Sequence, residues 1–256
     1  MIRILLLAAS ITFAAHAQET ERAPFITTPS DVVEEMLRFA GTGPSDLVVD
    51  LGSGDGRIVI AAAKTFGARG LGIELEGPLV RKSRDNAASA GVADRTTFVE
   101  GDVLIADISQ ASVVTVYLLP FLINKLQPRF LDELKPGTRV VSHAFQMAGW
   151  MPDRTETVRV ASPHPGQGGE SRLSLWIVPA KARGEWRAGD LSVRISQNFQ
   201  VLDVEVGKVP ARAGLNGSAI WWETGELRFE GIVEGASMRG ELTRGGRKTP
   251  ITFNKR

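Results

Sequence analysis

Cysteine is absent from the sequence, which excludes disulfide bonds, zinc–thiolate sites, iron–sulfur clusters and a cysteine nucleophile. Histidine is scarce, with three residues at His16, His143 and His164, so we expect no histidine-rich metal site. The formal net charge is +1, and most basic residues are interleaved with acids. This balance argues against strong electrostatic capture of nucleic acid, and no specific nucleic-acid partner is expected.

Long apolar runs are confined to the N-terminus. Residues 4–15 form an apolar run after Arg3, and Ala15-His16-Ala17 has the small-x-small pattern of a signal-peptidase site. The run is shorter than the about 20 residues that a membrane span takes. We therefore expect residues 1–17 to be a signal peptide cleaved after Ala17, and an exported, periplasmic mature chain without a membrane span. The alternative is an N-terminal helix that packs on the domain.

The composition is that of a globular protein, since 43% of the 256 residues are hydrophobic and 23% are charged. This length suits one α/β domain of usual size and a small second module. We expect a linker over residues 18–27, the α/β domain over 28–182 and a small antiparallel β module over 183–256. The sequence does not indicate the oligomeric state.

Short apolar strands alternate with helices in the first domain. Such alternation predicts a parallel sheet with helices on both faces, because each parallel strand needs a crossover connection. A first helix is expected to begin after Ser30 as its capping residue. The predicted strands cover residues 47–51, 70–74, 97–100, 113–118, 139–143, 158–160 and 173–178, and the other predicted helices cover 57–65, 78–90 and 121–134.

After Pro179 the pattern changes to an alternation of apolar and polar residues with frequent glycine turns. A period of two predicts strands with one buried face. The dipeptides Thr224-Gly225 and Gly245-Gly246 indicate hairpin turns. A module of about 70 residues is marginally stable alone, so we expect it to dock on the first domain.

The strongest local signal is the segment Val48-Val49-Asp50-Leu51-Gly52-Ser53-Gly54-Asp55-Gly56-Arg57. It reads as a buried strand, a glycine-rich turn and the start of a helix. Gly52 can take the positive φ of a tight turn, Gly54 allows a ligand to approach the backbone, and Gly56 allows the helix to lie close to the strand. Free N–H groups at the helix start favour a negative ligand group.

Two further acids follow at the ends of neighbouring strands. Glu74 ends the second strand, where a carboxylate can bind both ribose hydroxyls, and Asp102 follows the third, near an adenine amine. A nicotinamide dinucleotide site also uses a glycine turn and such an acid, but with the spacing G-x-G-x-x-G; here the spacing is G-x-G-x-G. The pattern favours S-adenosyl-L-methionine, and a dinucleotide site and a purely structural turn remain as alternatives. The predicted cofactor-binding residues are Asp50, Gly52, Ser53, Gly54, Gly56, Glu74 and Asp102.

Residues 28–186 resemble class I methyltransferases, and more narrowly bacterial relatives of the ATP-synthase c-subunit lysine N-methyltransferase family. The matching stretches are residues 50–59, the strand ending at Glu74, Tyr117-Leu118-Leu119-Pro120 with Asn124 and Leu126 behind it, and residues 135–143. This resemblance implies a Rossmann-like seven-stranded sheet with helices on both faces, S-adenosyl-L-methionine as cofactor, and a lysine as methyl acceptor.

The segment after the fourth strand departs from a common pattern. Many amino-methylating enzymes have Asn/Asp-Pro-Pro-Tyr/Phe there, whereas this chain has Tyr117-Leu118-Leu119-Pro120. Tyr117 is the only tyrosine and is expected near the transferred methyl group. Tyr117 or His143 is a candidate proton acceptor or relay, and Asn124 a candidate for orienting the substrate. Each of the three has a structural alternative, which is packing at the sheet end, in the core or on the helix.

Two functional hypotheses follow from these residues. The first is a methyltransferase that acts on a nucleophile, either a protein lysine or a small molecule. The second is a non-catalytic binding or assembly protein of the cell envelope that keeps the fold. The predicted export supports the second hypothesis, because S-adenosylmethionine is made in the cytosol, and the intact glycine turn with its acids supports the first.

Overall fold

The computed structural model describes residues 26–161, 163 and 168–256. The expected signal peptide 1–17, most of the expected linker and His164 lie outside the described residues. The first part of the chain contains, in order, α1 Ser30–Phe39, β1 Leu47–Leu51, α2 Arg57–Phe66, β2 Arg69–Glu74, α3 Gly77–Ser89, β3 Thr96–Glu100, β4 Val113–Val116, α4 Pro120–Glu133, β5 Arg139–His143, β6 Arg154–Arg159 and β7 Glu170–Ile177.

These strands form a seven-stranded sheet in the order β3-β2-β1-β4-β5-β7-β6. The first five strands pair in parallel. The last two form an antiparallel hairpin, and β7 pairs antiparallel with β5. The prediction of a parallel sheet is therefore wrong for these two strands, which no helix separates among the described residues. Strand β1 therefore lies between β2 and β4, at the point where the chain turns from one half of the sheet to the other. Ligands of open α/β sheets bind at such a switch point.

Successive residues of β1 point to opposite faces of the sheet. Val48 packs into a cluster with Met36 of α1 and Ile58 of α2. Its neighbour Val49 packs into a second cluster with Ile123 of α4. Helices thus cover both faces, which confirms the predicted fold class. In the described part of the chain, no helix is long and apolar enough to cross a membrane.

The predicted element bounds agree best where the strand is buried. Strands β1 and β5 have the predicted bounds, whereas β4 ends at Val116, before the predicted residue 118. Strand β6 begins at Arg154, four residues before the predicted start at residue 158. The prediction missed these four residues because they are exposed and carry no apolar signal. Helix α1 begins at Ser30 itself; Pro29 takes the cap position, without a side-chain capping bond.

The second part of the chain is antiparallel throughout, which confirms the predicted β module. Its eight strands close into a barrel in the order β10-β11-β12-β13-β14-β15-β8-β9. The sequence does not predict this closure. The strands are β8 Gly184–Ala188, β9 Leu191–Asn198, β10 Val201–Val206, β11 Val209–Asn216, β12 Ala219–Thr224, β13 Leu227–Glu234, β14 Ser237–Arg244 and β15 Arg247–Lys255.

Aromatic side chains fill the barrel. Trp186, Trp222, Phe229 and Phe253 are all 0% exposed. The rings of Trp222 and Phe229 stack with their centroids 5.5 Å apart, and Phe229 meets Phe253 edge-on at 5.4 Å. Small eight-stranded barrels either pack their interior with side chains or hold a ligand. This barrel is of the first kind.

The barrel contacts the sheet domain through the connector and the turn between β11 and β12. Ala180 N–H donates to the carbonyl of Gly217 at 2.8 Å. A Cβ atom at Gly217 would lie 2.9 Å from the Cα of Gly137, just before β5. Ala180 and Ala182 are buried in the barrel core. The predicted boundary at 182/183 falls within the connector between Ile177 and Gly184.

We predict that Gly217→Ala destabilises the protein more than Gly235→Ala. Both glycines have φ +58°, so either alanine costs about 1–2 kcal/mol for left-handed backbone. Only Gly217 faces the other domain at close range; Gly235 has open space around it. We expect an additional cost of about 1–3 kcal/mol at Gly217 from overpacking. Urea unfolding of both variants measures this, and equal losses would contradict the close domain contact.

Candidate functional site

A cleft of about 940 Å³ lies where β1, β2 and β4 end. The sheet order places it at the switch point, because β1 separates β2 from β4. Of the ten site residues that the sequence predicts, seven line this cleft: Asp50, Gly52, Ser53, Gly54, Glu74, Asp102 and Tyr117. Within the described part of the chain, Gly56, Asn124 and His143 do not line it.

The glycine turn after β1 needs left-handed backbone at each of its three glycines, with φ +79° at Gly52, +53° at Gly54 and +81° at Gly56. Residues other than glycine rarely adopt this backbone conformation. The N–H groups of Gly52 and Ser53 both donate to the carbonyl of Ile73, at 2.9 and 3.0 Å. The turn is therefore held against the end of β2.

Gly56 supports the turn from behind the cleft. It precedes the first residue of α2, and a Cβ atom there would lie 2.8 Å from the ring of Phe98 in β3 and 2.9 Å from Ser83 in α3. The sequence predicts close packing of the helix on the strand at this glycine. The structure shows that the closely packed neighbours are β3 and α3.

Glu74 joins β2 to the glycine turn. Its Oε2 accepts the Gly54 N–H at 2.8 Å, and its Oε1 accepts the Glu76 N–H at 3.0 Å. The residue is 9% exposed and lines the cleft. Each carboxylate oxygen can accept a further hydrogen bond, so this side chain suits a ligand with two adjacent hydroxyls.

Asp50 is the most deeply buried acid of the cleft, at 3% exposure. Its Oδ1 accepts the Thr115 hydroxyl at 2.6 Å. Burial raises the pKa of Asp50 to about 7; the Thr115 hydrogen bond opposes this shift, and the nearby charges of Glu74 and Asp55 add to it. A positively charged ligand group would favour the ionised form.

Arg57 forms a contact that the sequence does not indicate. Its guanidinium binds both carboxylate oxygens of Asp55, at 2.9 and 2.7 Å, and donates to the carbonyl of Thr28 at 2.9 Å. Burial would raise the pKa of Asp55, but the Arg57 hydrogen bonds and charge lower it below its usual value. The charges of Arg57 and Asp55 thus offset each other, and residues 26–28 are held along the cleft.

Asp102 lies at the exposed end of the cleft, after β3. Its Oδ1 accepts the Leu104 N–H at 2.8 Å, and its carbonyl accepts the N–H groups of Ile105 and Ala106. The carboxylate therefore orders the turn after β3 and remains open to solvent. This is the position that the sequence predicts for an acid near adenine.

Tyr117 lies on the opposite wall, directly after β4. Its ring centroid is 4.1 Å from that of His143 and 6.3 Å from that of Phe145, whose ring is stacked on it. Burial raises the pKa of the Tyr117 hydroxyl above its usual value. The phenol is therefore protonated at neutral pH.

His143 and Asn124 lie behind this wall. His143 is 1% exposed, and its ring nitrogens are 3.1 Å from the Thr28 hydroxyl and 2.9 Å from the Ser171 hydroxyl. Asn124 Oδ1 accepts the Ala148 N–H at 2.8 Å. These contacts agree with the structural roles that the sequence leaves open as alternatives to catalysis for both residues. Their catalytic roles stay predictions.

The wall of the cleft beside Tyr117 has apolar residues that were not predicted from the sequence. Leu118, Phe121 and Leu122 line it beside Tyr117, with Lys125 one turn further along α4. One feature of the sequence could have indicated them: they follow directly after the end of β4, on the sheet edge that carries the other site residues. Residues 26–28 gave no such signal, since they precede the first helix.

The strand order, the glycine turn and the acids at the ends of β1 and β2 define a class I S-adenosylmethionine-dependent methyltransferase. Residues 50–154 match the family model described as the ANTKMT methyltransferase domain. A protein-lysine N-methyltransferase of Saccharolobus islandicus is 45% identical over 130 residues, which are 50% of this chain and 81% of that protein. The chain therefore belongs to the same methyltransferase family as this relative.

Two further relatives agree with this assignment. The ATP synthase c-subunit lysine N-methyltransferase of Xenopus laevis is 33% identical over 59% of this chain, which spans 66% of that protein. A crystal structure described as an RNA methyltransferase from Salinibacter ruber in complex with S-adenosyl-L-homocysteine is 49% identical. It has a TM-score of 0.55 and covers 61% of this chain and 95% of its own. None of these relatives supports a non-catalytic binding or assembly protein.

The residues of the cleft fit S-adenosylmethionine, the cofactor of this enzyme class. Glu74 offers two carboxylate oxygens to a ribose, and Asp50 offers a buried carboxyl group to a cationic amine. A Cβ at Gly52 would lie 2.9 Å from the Leu118 side chain, so glycine at this position allows the turn and the wall beside Tyr117 to approach each other closely. The cleft volume of about 940 Å³ leaves space for an acceptor group beside the cofactor.

We predict that S-adenosylmethionine binds more tightly as the pH rises. Since the pKa of Asp50 is about 7 in the free protein, the carboxyl group is mostly neutral at pH 6 and mostly ionised at pH 8. A cationic ligand favours the ionised form, so binding below pH 7 must release a proton, and affinity should increase about tenfold between these pH values. Calorimetry in buffers of different ionisation enthalpy measures both effects.

Asp50→Asn is the matched control, because it keeps the side-chain shape and removes the titrating group. Its affinity should be weaker and nearly independent of pH from 6 to 8. An unchanged pH dependence in this variant would assign the titration to another group.

Proposed function

We propose that this methyltransferase transfers the methyl group to the side-chain amine of a lysine in a protein. The observation that carries the proposal is the chemistry of the cleft walls. Of its described lining residues, five are acidic and two basic: Asp50, Asp55, Glu74, Glu76 and Asp102 against Arg57 and Lys125. Such a cleft attracts a cation. The apolar wall of Leu118, Phe121 and Leu122 suits the methylene stem of a lysine.

An amine must give up its proton to the surrounding water before it can accept a methyl group. For a lysine with a pKa near 10.4, this costs about 4–5 kcal/mol at pH 7. Apolar surroundings lower the pKa of an amine because they disfavour its charged form, and the wall beside Tyr117 supplies such surroundings. When bound, S-adenosylmethionine supplies a methyl group on a positively charged sulfur.

Tyr117 has the role of an orienting group in this proposal. Because burial raises its pKa, the phenol keeps its proton at neutral pH and does not serve as the base. Its oxygen can instead accept a hydrogen bond from the amine and direct the lone pair along the cleft. His143 supports the ring of Tyr117, with the two ring centroids 4.1 Å apart. Asn124 supports the loop that follows β5.

On the cofactor side we assign Glu74 to the ribose hydroxyls and Asp102 to the adenine amine. Asp50, together with the turn from Gly52 to Gly54, is assigned to the methionine part. Gly56 acts indirectly, by permitting the close packing that holds the turn. These assignments follow from the order of the acids along the strand ends.

An RNA acceptor is a second candidate, because the Salinibacter ruber structure is described as an RNA methyltransferase. The charge of the cleft argues against it. The acids would repel phosphate groups, and the charge of Arg57 is offset by Asp55. Nucleic-acid interfaces are much more positive than this surface.

The proposal predicts label on protein lysine when the full-length protein is incubated with methyl-labelled S-adenosylmethionine and an envelope extract of the source cells. Protease should release the label and ribonuclease should not, and mass spectrometry should place it on lysine Nζ. Label released by ribonuclease would favour the RNA acceptor.

Tyr117→Phe should lower the rate about tenfold or more without weakening cofactor binding.

Gly54→Trp is the inactive control, because a large side chain at φ +53° in the turn blocks the backbone approach of the cofactor. Gly43→Trp is its matched partner, since Gly43 has open space around it. Labelling should disappear in the first variant and persist in the second. Equal labelling in both would place the cofactor elsewhere.

We further propose that residues 1–17 export the chain to the periplasm, with residues 28–182 and 183–256 as its two folded domains. Support for export comes from Arg3, the apolar run 4–15 and the Ala15-His16-Ala17 pattern. Cell fractionation and N-terminal sequencing test it. A mature chain that begins at Gln18 in the periplasm is expected; a cytosolic chain that keeps residues 1–17 would contradict export.

A further inference from the structure

The hairpin between β9 and β10 reaches from the barrel to the sheet domain. Its two-residue turn consists of Phe199 and Gln200. Phe199 packs against the buried cluster that contains Ile123 of α4 and Trp150. The barrel strands themselves belong to a separate cluster. This turn is therefore the point where a barrel side chain enters the core of the methyltransferase domain.

Both residues of the turn contact Trp150 or its neighbour. The rings of Phe199 and Trp150 are stacked with centroids 5.5 Å apart and planes within 7°. Gln200 Oε1 accepts the Trp150 indole N–H at 2.9 Å, and its Nε2 donates to the Met151 carbonyl at 2.8 Å. One ring face and two hydrogen bonds thus fix a single segment.

That segment is the loop 144–153 between β5 and β6. The same loop forms part of the support for the acceptor wall. Phe145 stacks on Tyr117, and the Ala148 N–H binds Asn124 of α4 at 2.8 Å. The first turns of that helix provide the apolar lining of the cleft. A continuous set of contacts therefore leads from the barrel turn to the acceptor side.

The backbone of the turn is unusual. Phe199 has φ +54°, a region in which glycine is favoured and a bulky residue is rare. A turn that only joined two strands would lose nothing with glycine at this position. The contacts of the ring explain its presence, because such backbone persists where the surroundings fix it.

We propose that the β9–β10 hairpin positions the acceptor wall of the active site, with Phe199 and Gln200 as positioning residues for methyl transfer. The barrel thereby contributes to catalysis without a residue in the cleft. The inference rests on the proposed function for the placement of the acceptor at Tyr117. Docking of the barrel does not depend on this turn alone, because Gly217 and Ala180 form a separate contact.

The test compares Phe199→Gly, which relaxes the turn and removes the ring, with Phe199→Tyr, which keeps the stack. Val201→Ala is the matched control, since Val201 lies in the same hairpin and is 63% exposed. Three quantities are measured: kcat/KM for poly-L-lysine with labelled S-adenosylmethionine, the Kd of S-adenosylhomocysteine, and hydrogen exchange of the Ala148 amide.

For Phe199→Gly we expect kcat/KM to fall about tenfold to a hundredfold, because a small displacement of the acceptor lowers the rate steeply. The Kd should stay within about twofold, and the Ala148 amide should exchange at least about tenfold faster as its loop loosens. Phe199→Tyr should restore all values, and Val201→Ala should match the wild type.

Unchanged exchange at Ala148 in Phe199→Gly would overturn the proposal. So would a parallel loss of cofactor binding, since a general structural defect affects both sides of the cleft. If the wild-type protein leaves poly-L-lysine unlabelled, the lysine assignment fails separately, and the exchange of Ala148 alone decides whether the hairpin holds the loop.

Discussion

The hydrogen bond from the Gly54 N–H to the Glu74 carboxylate joins the glycine turn to the end of β2, and the cofactor side of the cleft depends on it. With the bonds from Gly52 and Ser53 to Ile73, it fixes a backbone that only glycines adopt readily. The carboxylate that holds the turn also faces the cleft. One side chain therefore holds the glycine turn in place and also forms part of the wall of the cleft.

The same arrangement brings Asp50, Asp55 and Glu74 together. Burial raises the pKa of Asp50, and repulsion from the other two acids adds to the shift. Thr115 and Arg57 offset part of this repulsion through their contacts with Asp50 and Asp55. A cationic ligand would offset more. The site thus gives up some stability in the free protein for complementarity to its ligand, a trade that is common at functional sites. The wall that we assign to the acceptor is built differently, from segments that are distant in the chain and mostly apolar.

The sequence predicts those features that have a local cause. Strands β1 and β5 are buried apolar runs and have the predicted bounds, and the glycine spacing, with Glu74 and Asp102, indicates the cofactor. Contacts between distant segments leave no such signal. Closure of the barrel depends on β8 and β15, which pair at only two positions, Asn254↔Arg187 and Lys255↔Trp186. The support of the acceptor wall by Thr28, Phe145 and Phe199 is equally invisible, because each comes from a different part of the chain.

The most direct measurement is the Kd of S-adenosylhomocysteine for the wild-type protein and for Glu74→Ala, by calorimetry at pH 8 with folding checked by circular dichroism. The wild type should bind with a Kd on the order of micromolar, and the variant should bind about a hundredfold more weakly, since it loses both the ribose acceptor and the bond that holds the turn. Equal affinities in two folded proteins, or no binding by the wild type, would contradict the assignment of this cleft to the cofactor.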